Sequence, residues 1–257
     1  MNVLIQLFRW NMLQPKMYGT FHVLCLFITI TLTAILLKNQ VDEKQVRIIL
    51  GTSGLLVLVL EIYKQLYFSV DLTQEKIIAY PWNIFPWQFC STPMYISLLG
   101  AIVQNKKIHD RMCCYLSTYA LMAGICVMLY PSSVFTENVM INIQTMVNHG
   151  TMVIIGMYLL ISGYVKCEKR TLVEAFKVFI ICFTIAIILN EWAKWIGILE
   201  KYPFNMFYIS PYVTGGLPIF GEIQKIVSYP ASLVIYVGGF TIGSGLILRC
   251  IKRGFLR

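Results

Sequence analysis

Residues 172–193 read LVEAFKVFIICFTIAIILNEWA. After two charged residues in its first turns, the run is apolar until Asn190 and Glu191. Its length matches the roughly 20 residues that a helix needs to cross the hydrocarbon of a bilayer. Six similar runs occur at 17–37, 46–70, about 84–104, 112–130, about 138–164 and 226–248. In lipid every backbone polar group must be satisfied within the protein, so such runs form helices. The expectation is an all-α polytopic membrane protein with about seven transmembrane helices.

Composition agrees. Of 257 residues, 58% are hydrophobic and 13% charged, with a mean hydropathy of +0.70. A soluble domain carries about a quarter charged residues. This surface cannot face water throughout, which excludes a soluble globular enzyme, a disordered chain and a nucleic-acid-binding domain. The net charge of +9 reports topology instead. With seven spans, 14 basic residues fall at one end and 6 at the other, and Lys64 lies inside a span. Basic loops stay in the cytoplasm. The N-terminus is then outside and the C-terminus inside, in a multi-pass protein of the cell membrane.

Residues 1–16 hold Arg9 and Trp10 in an amphipathic stretch and lack a small-residue cleavage site. They read as an interfacial helix and not as a cleaved signal. Residues 17–257 read as one transmembrane domain. The stretch near 198–225 is aromatic and rich in Pro and Gly, so it reads as an outer capping loop. The eight cysteines form no CxxC pair and have no histidine at zinc-ligand spacing. No metal, cofactor or disulfide framework is expected.

Polar residues inside spans are costly and mark function or interhelical pairing. Glu61 and Lys64 stand three apart on one face of the second span, with Gln65 beside them. The third span opens PWNIFPWQFCSTP, where Pro81, Pro86 and Pro93 break the helix start and Gln88 and Cys90 follow. In the fifth span Asn142, Thr145 and His149 share a face, and Asn148 adjoins it. Asn190 ends the sixth span, and the loop after it supplies Tyr208. His22 reads as interfacial. With the N-terminus outside, these residues converge on one outward-facing cavity. Straight helices place Cys90 and His149 at depths about 8 Å apart, a gap that the broken start of the third span can close.

The segments PWQFCS, YP…NHGTMVIIGMYLL and N…FYISP…LPIF resemble the YwaF-like family of bacterial integral membrane proteins. The resemblance covers roughly residues 45–250. That family is similar to animal transmembrane acyltransferases acting on ether phospholipids, and more distantly to small transmembrane lipid hydrolases. The resemblance implies a catalytic Cys in the early span and a His in the later one, here Cys90 and His149. Relatives often carry His two residues before the Cys, where this chain has Gln88.

Three functions compete. The first is a lipid acyltransferase or hydrolase acting on a membrane lipid or lysophospholipid. Cys90 is its nucleophile, His149 its base, and Gln88, Asn148 or Asn190 its oxyanion donors, with Glu61 able to orient His149. The second is a small-solute transporter or substrate-binding membrane protein that uses Glu61, Lys64 and His149. The third is a structural membrane protein whose polar residues only join helices. Nucleic acid is not an expected partner.

Overall fold

A computed structural model of the chain describes residues 8–38, 41–72, 76–213 and 216–255. Helix α1 is Thr20–Leu36 and α2 is Glu43–Phe68, followed by a two-strand turn pairing Val70–Asp71 with Lys76–Ile77. Helix α3 is Thr92–Ile102, α4 Lys106–Leu129, α5 Val139–Ile161, α6 Lys169–Trp195, α7 Pro218–Ile226 and α8 Tyr229–Phe255. Four of them, α2, α4, α6 and α8, are long and apolar enough to cross a membrane. Helices α1, α3 and α5 occupy the other three runs expected to span.

Side-chain caps set several starts. Asp42 accepts from the Gln45 amide at 2.7 Å, Asn105 from Ile108 at 3.2 Å and Asn138 from Ile141 at 3.0 Å. The Asn105 cap starts α4 at Lys106, earlier than the apolar run suggests. Lys106, Lys107 and Arg111 therefore lie on the helix and not in a loop. Within α4, residues Leu116–Ala120 form a π-helical turn. The Thr118 hydroxyl donates to the Cys114 carbonyl there at 2.7 Å, competing with the helical ladder.

Of the expected interfacial helix at 1–16, Phe8 is helical and the residues after it are not. Residues 1–7 lie outside the described residues, and residues 9–16 are irregular. Their backbone groups bond to the turn before α5 instead. Asn11 pairs with Asn138, the Met12 amide reaches the Glu137 carbonyl at 2.7 Å, and the Trp10 carbonyl accepts from Val139 at 2.8 Å. Pro15, with no amide hydrogen, also disfavours a helix there. The stretch near 198–225 is likewise more ordered than expected. It contains two 3-10 turns and α7, which begins at Pro218, a residue suited to a first helical position.

An aromatic cluster joins α4, α6 and α8. Tyr119 stacks on Phe179 at 4.5 Å between centroids, and Phe240 packs edge-on to Phe89 at 4.8 Å. Outward faces keep large apolar side chains exposed, as with Ile30 and Val234. That pattern suits contact with lipid.

Candidate functional site

Prolines shape the approach to α3. Two 3-10 turns, Trp82–Ile84 and Phe89–Ser91, replace α-helix before Thr92. Cys90 lies in the second turn, so the chain reaches it without a full outer helical segment. Cys90 stands twelve residues before the end of α3, and His149 twelve before the end of α5. Both are therefore about 18 Å above the basic end of the bundle.

Asn148 joins the two elements by donating from Nδ2 to the Cys90 carbonyl at 3.1 Å. No direct hydrogen bond joins the Cys90 thiol to His149. Cys90 is half-buried. His149 is buried, and its Nδ1 lies 2.7 Å from the Thr145 carbonyl. A carbonyl oxygen can only accept, so Nδ1 carries the proton and Nε2 of the neutral ring is the acceptor. Close packing brings the backbones of α4 and α5 together beside His149. A Cβ at Gly124 on α4 would lie 2.9 Å from the His149 carbonyl, and one at Gly156 on α5 would lie 3.0 Å from the Leu116 carbonyl.

A charged layer lies above, toward the opposite end. Glu61 is 4% exposed and pairs with Lys64 at 2.8 Å. Gln65 donates to one of its carboxylate oxygens at 2.6 Å, and Gln144 of α5 donates to the other at 3.0 Å. The charge is thus met from another helix, as an intramembrane carboxylate requires. The Tyr80 hydroxyl donates to Gln65 Oε1 at 2.5 Å. Burial first, and the Glu61 charge second, push its pKa up to about 12, so it stays a donor.

The other expected residues divide between loop and site. Gln88 clamps the loop, donating to the Asn205 carbonyl at 2.9 Å and accepting from the Phe207 amide at 3.0 Å. Asn190 does the same at Met206, donating to its carbonyl at 3.1 Å and accepting from its amide at 2.8 Å. Both ends of each side chain are engaged by the loop, which fixes the two amides there as clamps. Asn142 bonds the turn before α5, with Thr136 as partner to both ends at 2.8 Å. Thr145 donates weakly to Gln144 at 3.4 Å. The cavity-lining role expected of Asn142 is therefore replaced by a turn-closing one.

The clamps press the segment 204–210 into the bundle, where Phe204, Met206, Phe207 and Ile209 are fully buried. Phe207 and Tyr208 both take φ of 58°, a left-handed conformation strained for aromatic residues. Tyr208 lies within electrostatic reach of Cys90. Burial, with Cys90 a smaller cause, raises its pKa to about 12.

Sequence reasoning missed Tyr236, Gln144 and His109. Tyr236 of α8 is 2% exposed, and its hydroxyl has no hydrogen-bond partner. An orphaned buried hydroxyl marks a place for a water or a ligand oxygen. The signal in sequence was one tyrosine in an apolar run, indistinguishable from core. His109 is a buried histidine bonded to the Gly100 carbonyl at 2.8 Å and the Tyr164 hydroxyl at 2.9 Å, with Cys113 at 3.5 Å. Cys113 has no accessible surface. His22 is not interfacial but fully buried, held by the Tyr18 amide at 2.9 Å and the Met128 carbonyl at 2.7 Å.

Among the described residues, no group of three or more His, Cys, Asp or Glu side chains can hold a metal ion. A small void of about 10 Å³, room for about one water, lies between α2, α3 and α5, with Asn148 and Ser97 in its lining. No curated protein and no solved structure matches the chain. The buried polar layers on apolar helices describe an integral membrane protein, and a family model described as the TMEM164 family matches residues 13–241; the chain belongs to that family, a family of transmembrane proteins.

Proposed function

We propose that the protein is a multi-pass cell-membrane lipid acyltransferase, with hydrolysis as the same chemistry when water is the acceptor. The observation that carries the reading is the Asn148–Cys90 hydrogen bond, which ties the backbone of Cys90 in the third span to the residue before His149 in the fifth. The resemblance to transmembrane ether-phospholipid acyltransferases supports it. The topology that goes with it has seven spans, the N-terminus outside and the C-terminus inside.

In this mechanism Cys90 Sγ attacks the ester carbonyl of a phospholipid and His149 Nε2 takes the thiol proton. The tetrahedral intermediate collapses, the ester C–O bond breaks, and His149 returns the proton to the departing lysophospholipid. A thioester remains on Cys90. A lysophospholipid hydroxyl then attacks it, giving its proton to His149, and the thiol is restored when the C–S bond breaks. Tyr236 is the hydroxyl assigned to the oxyanion, because it is buried and has no hydrogen-bond partner, and Tyr208 is a second candidate. The pairing needs Cys90 and His149 to close on substrate, since catalytic contacts are often loose without it.

A solute-binding role for Glu61 and Lys64 is less favoured, because each already neutralises the other and Gln65 and Gln144 fill the remaining carboxylate capacity.

The test is transfer of a labelled acyl chain from phospholipid to lysophospholipid by the full chain in bilayers. Cys90→Ser and His149→Gln should each lower the rate by at least about a hundredfold. Cys113→Ala should leave it intact. Full activity in Cys90→Ser would end the thioester reading.

A further inference from the structure

Two cavities among the described residues open at the basic end of the bundle, away from Cys90. One, of about 450 Å³, lies between the start of α6 and the end of α8. Lys169, Arg249 and Lys252 line it, with Glu168 the single acidic residue. Leu172, Ile242 and Leu246 line the rest. Ile242 stands seven residues before Arg249 on α8, so the apolar wall runs about 10 Å deeper along the helix. Both Ile242 and Leu246 are exposed.

Several cations at this end of the bundle are met by carboxylates of the chain itself. Arg47 pairs with Glu43, Lys106 with Asp110, and Arg111 and Lys177 with Glu174. Among the described residues, Lys169, Arg249 and Lys252 have no carboxylate within ion-pairing distance. Three unpaired cations at the rim of an apolar groove leave a charge to be met from outside the chain.

We propose that this groove holds an anionic phospholipid, with its phosphate among Lys169, Arg249 and Lys252 and one acyl chain along Leu172, Ile242 and Leu246. Phosphate chemistry alone would suit a soluble phosphate ester as well. The apolar continuation commits the groove to a lipid, because a soluble ester has nothing to lay along it. The site is separate from Cys90 and does not depend on the acyl-transfer reading. Each basic residue near an anionic lipid surface contributes about fivefold in binding.

The test uses the full chain in neutral detergent, titrated with phosphatidylglycerol or with phosphatidylcholine of the same chains, and read by native mass spectrometry. Phosphatidylglycerol should bind at least about tenfold more tightly. The K169Q/R249Q/K252Q variant should lose that preference. Gly245 lies on the same wall, and a Cβ there would stand 3.4 Å from Leu172 Cδ2. Gly245→Leu should fill the groove and weaken the lipid while the charges remain. The K38Q/K44Q/K107Q variant removes equal charge at the same end and should keep the preference. Unchanged melting temperatures establish that each variant is folded. Equal binding of the two lipids, an equal loss in the charge control, or displacement of phosphatidylglycerol by millimolar glycerol 3-phosphate would each overturn the proposal.

Discussion

Asn148 donates its side-chain amide to the carbonyl oxygen of Cys90 at 3.1 Å. One hydrogen bond thereby fixes the broken third span against the fifth at the depth of His149. Replacing Asn148 with Leu leaves that carbonyl without this partner. The cost should be about 1–3 kcal/mol of stability in detergent. Acyl transfer should fall further than Gly or Ala substitutions at lipid-facing positions make it fall. Wild-type stability together with wild-type transfer in Asn148→Leu would show that the bond positions nothing.

The Tyr236 hydroxyl has no partner, so the fold gains nothing from it. Tyr236→Phe should therefore keep or slightly raise the melting temperature. If the hydroxyl serves the oxyanion, the same change lowers transfer by about ten- to a hundredfold. A variant that loses stability and activity together would make Tyr236 a packing residue only.

Glu61 and Lys64 meet inside the bundle at 2.8 Å. Glu61→Ala strands the ammonium and should cost about 3–5 kcal/mol. The E61M/K64M variant removes both charges and should recover most of that loss. Chemical denaturation in detergent measures both. A double variant no more stable than Glu61→Ala contradicts a mainly electrostatic origin.

Much of the fold was legible in the sequence because lipid imposes one solution on apolar runs of span length. The helices α2, α6 and α8 lie where hydropathy put them. The π-helical turn at Leu116–Ala120 and the early start of α4 were not legible, since both follow from side-chain bonds to backbone by Thr118 and Asn105. Of the candidate site, the inward polar faces of α2 and α5 were readable from spacing. Gln88 and Asn190 looked like catalytic amides, and only the structure shows each spending both ends on segment 204–210. Tyr236 and Gln144 gave no signal, because a lone polar residue in an apolar run carries no periodicity.

Those clamps give another expectation. Asn190→Leu leaves the buried Met206 amide unpaired and its carbonyl with the Ile209 amide alone, at 3.3 Å. Amides of residues 204–210 should exchange hydrogen at least about tenfold faster, while those of α4 and α5 stay protected. Uniform protection across both regions would show that the segment is held by packing of Phe204 and Phe207 alone.

The most direct measurement looks for acyl groups on the sulfur of Cys90. The full chain is incubated with a phospholipid carrying a labelled acyl chain and no acceptor, quenched in acid, and mapped by mass spectrometry of peptides. The mechanism predicts a hydroxylamine-sensitive thioester on Cys90 that vanishes in Cys90→Ser and on addition of lysophospholipid. Acyl transfer that proceeds with no label on Cys90, or with label on Cys113 instead, would contradict it.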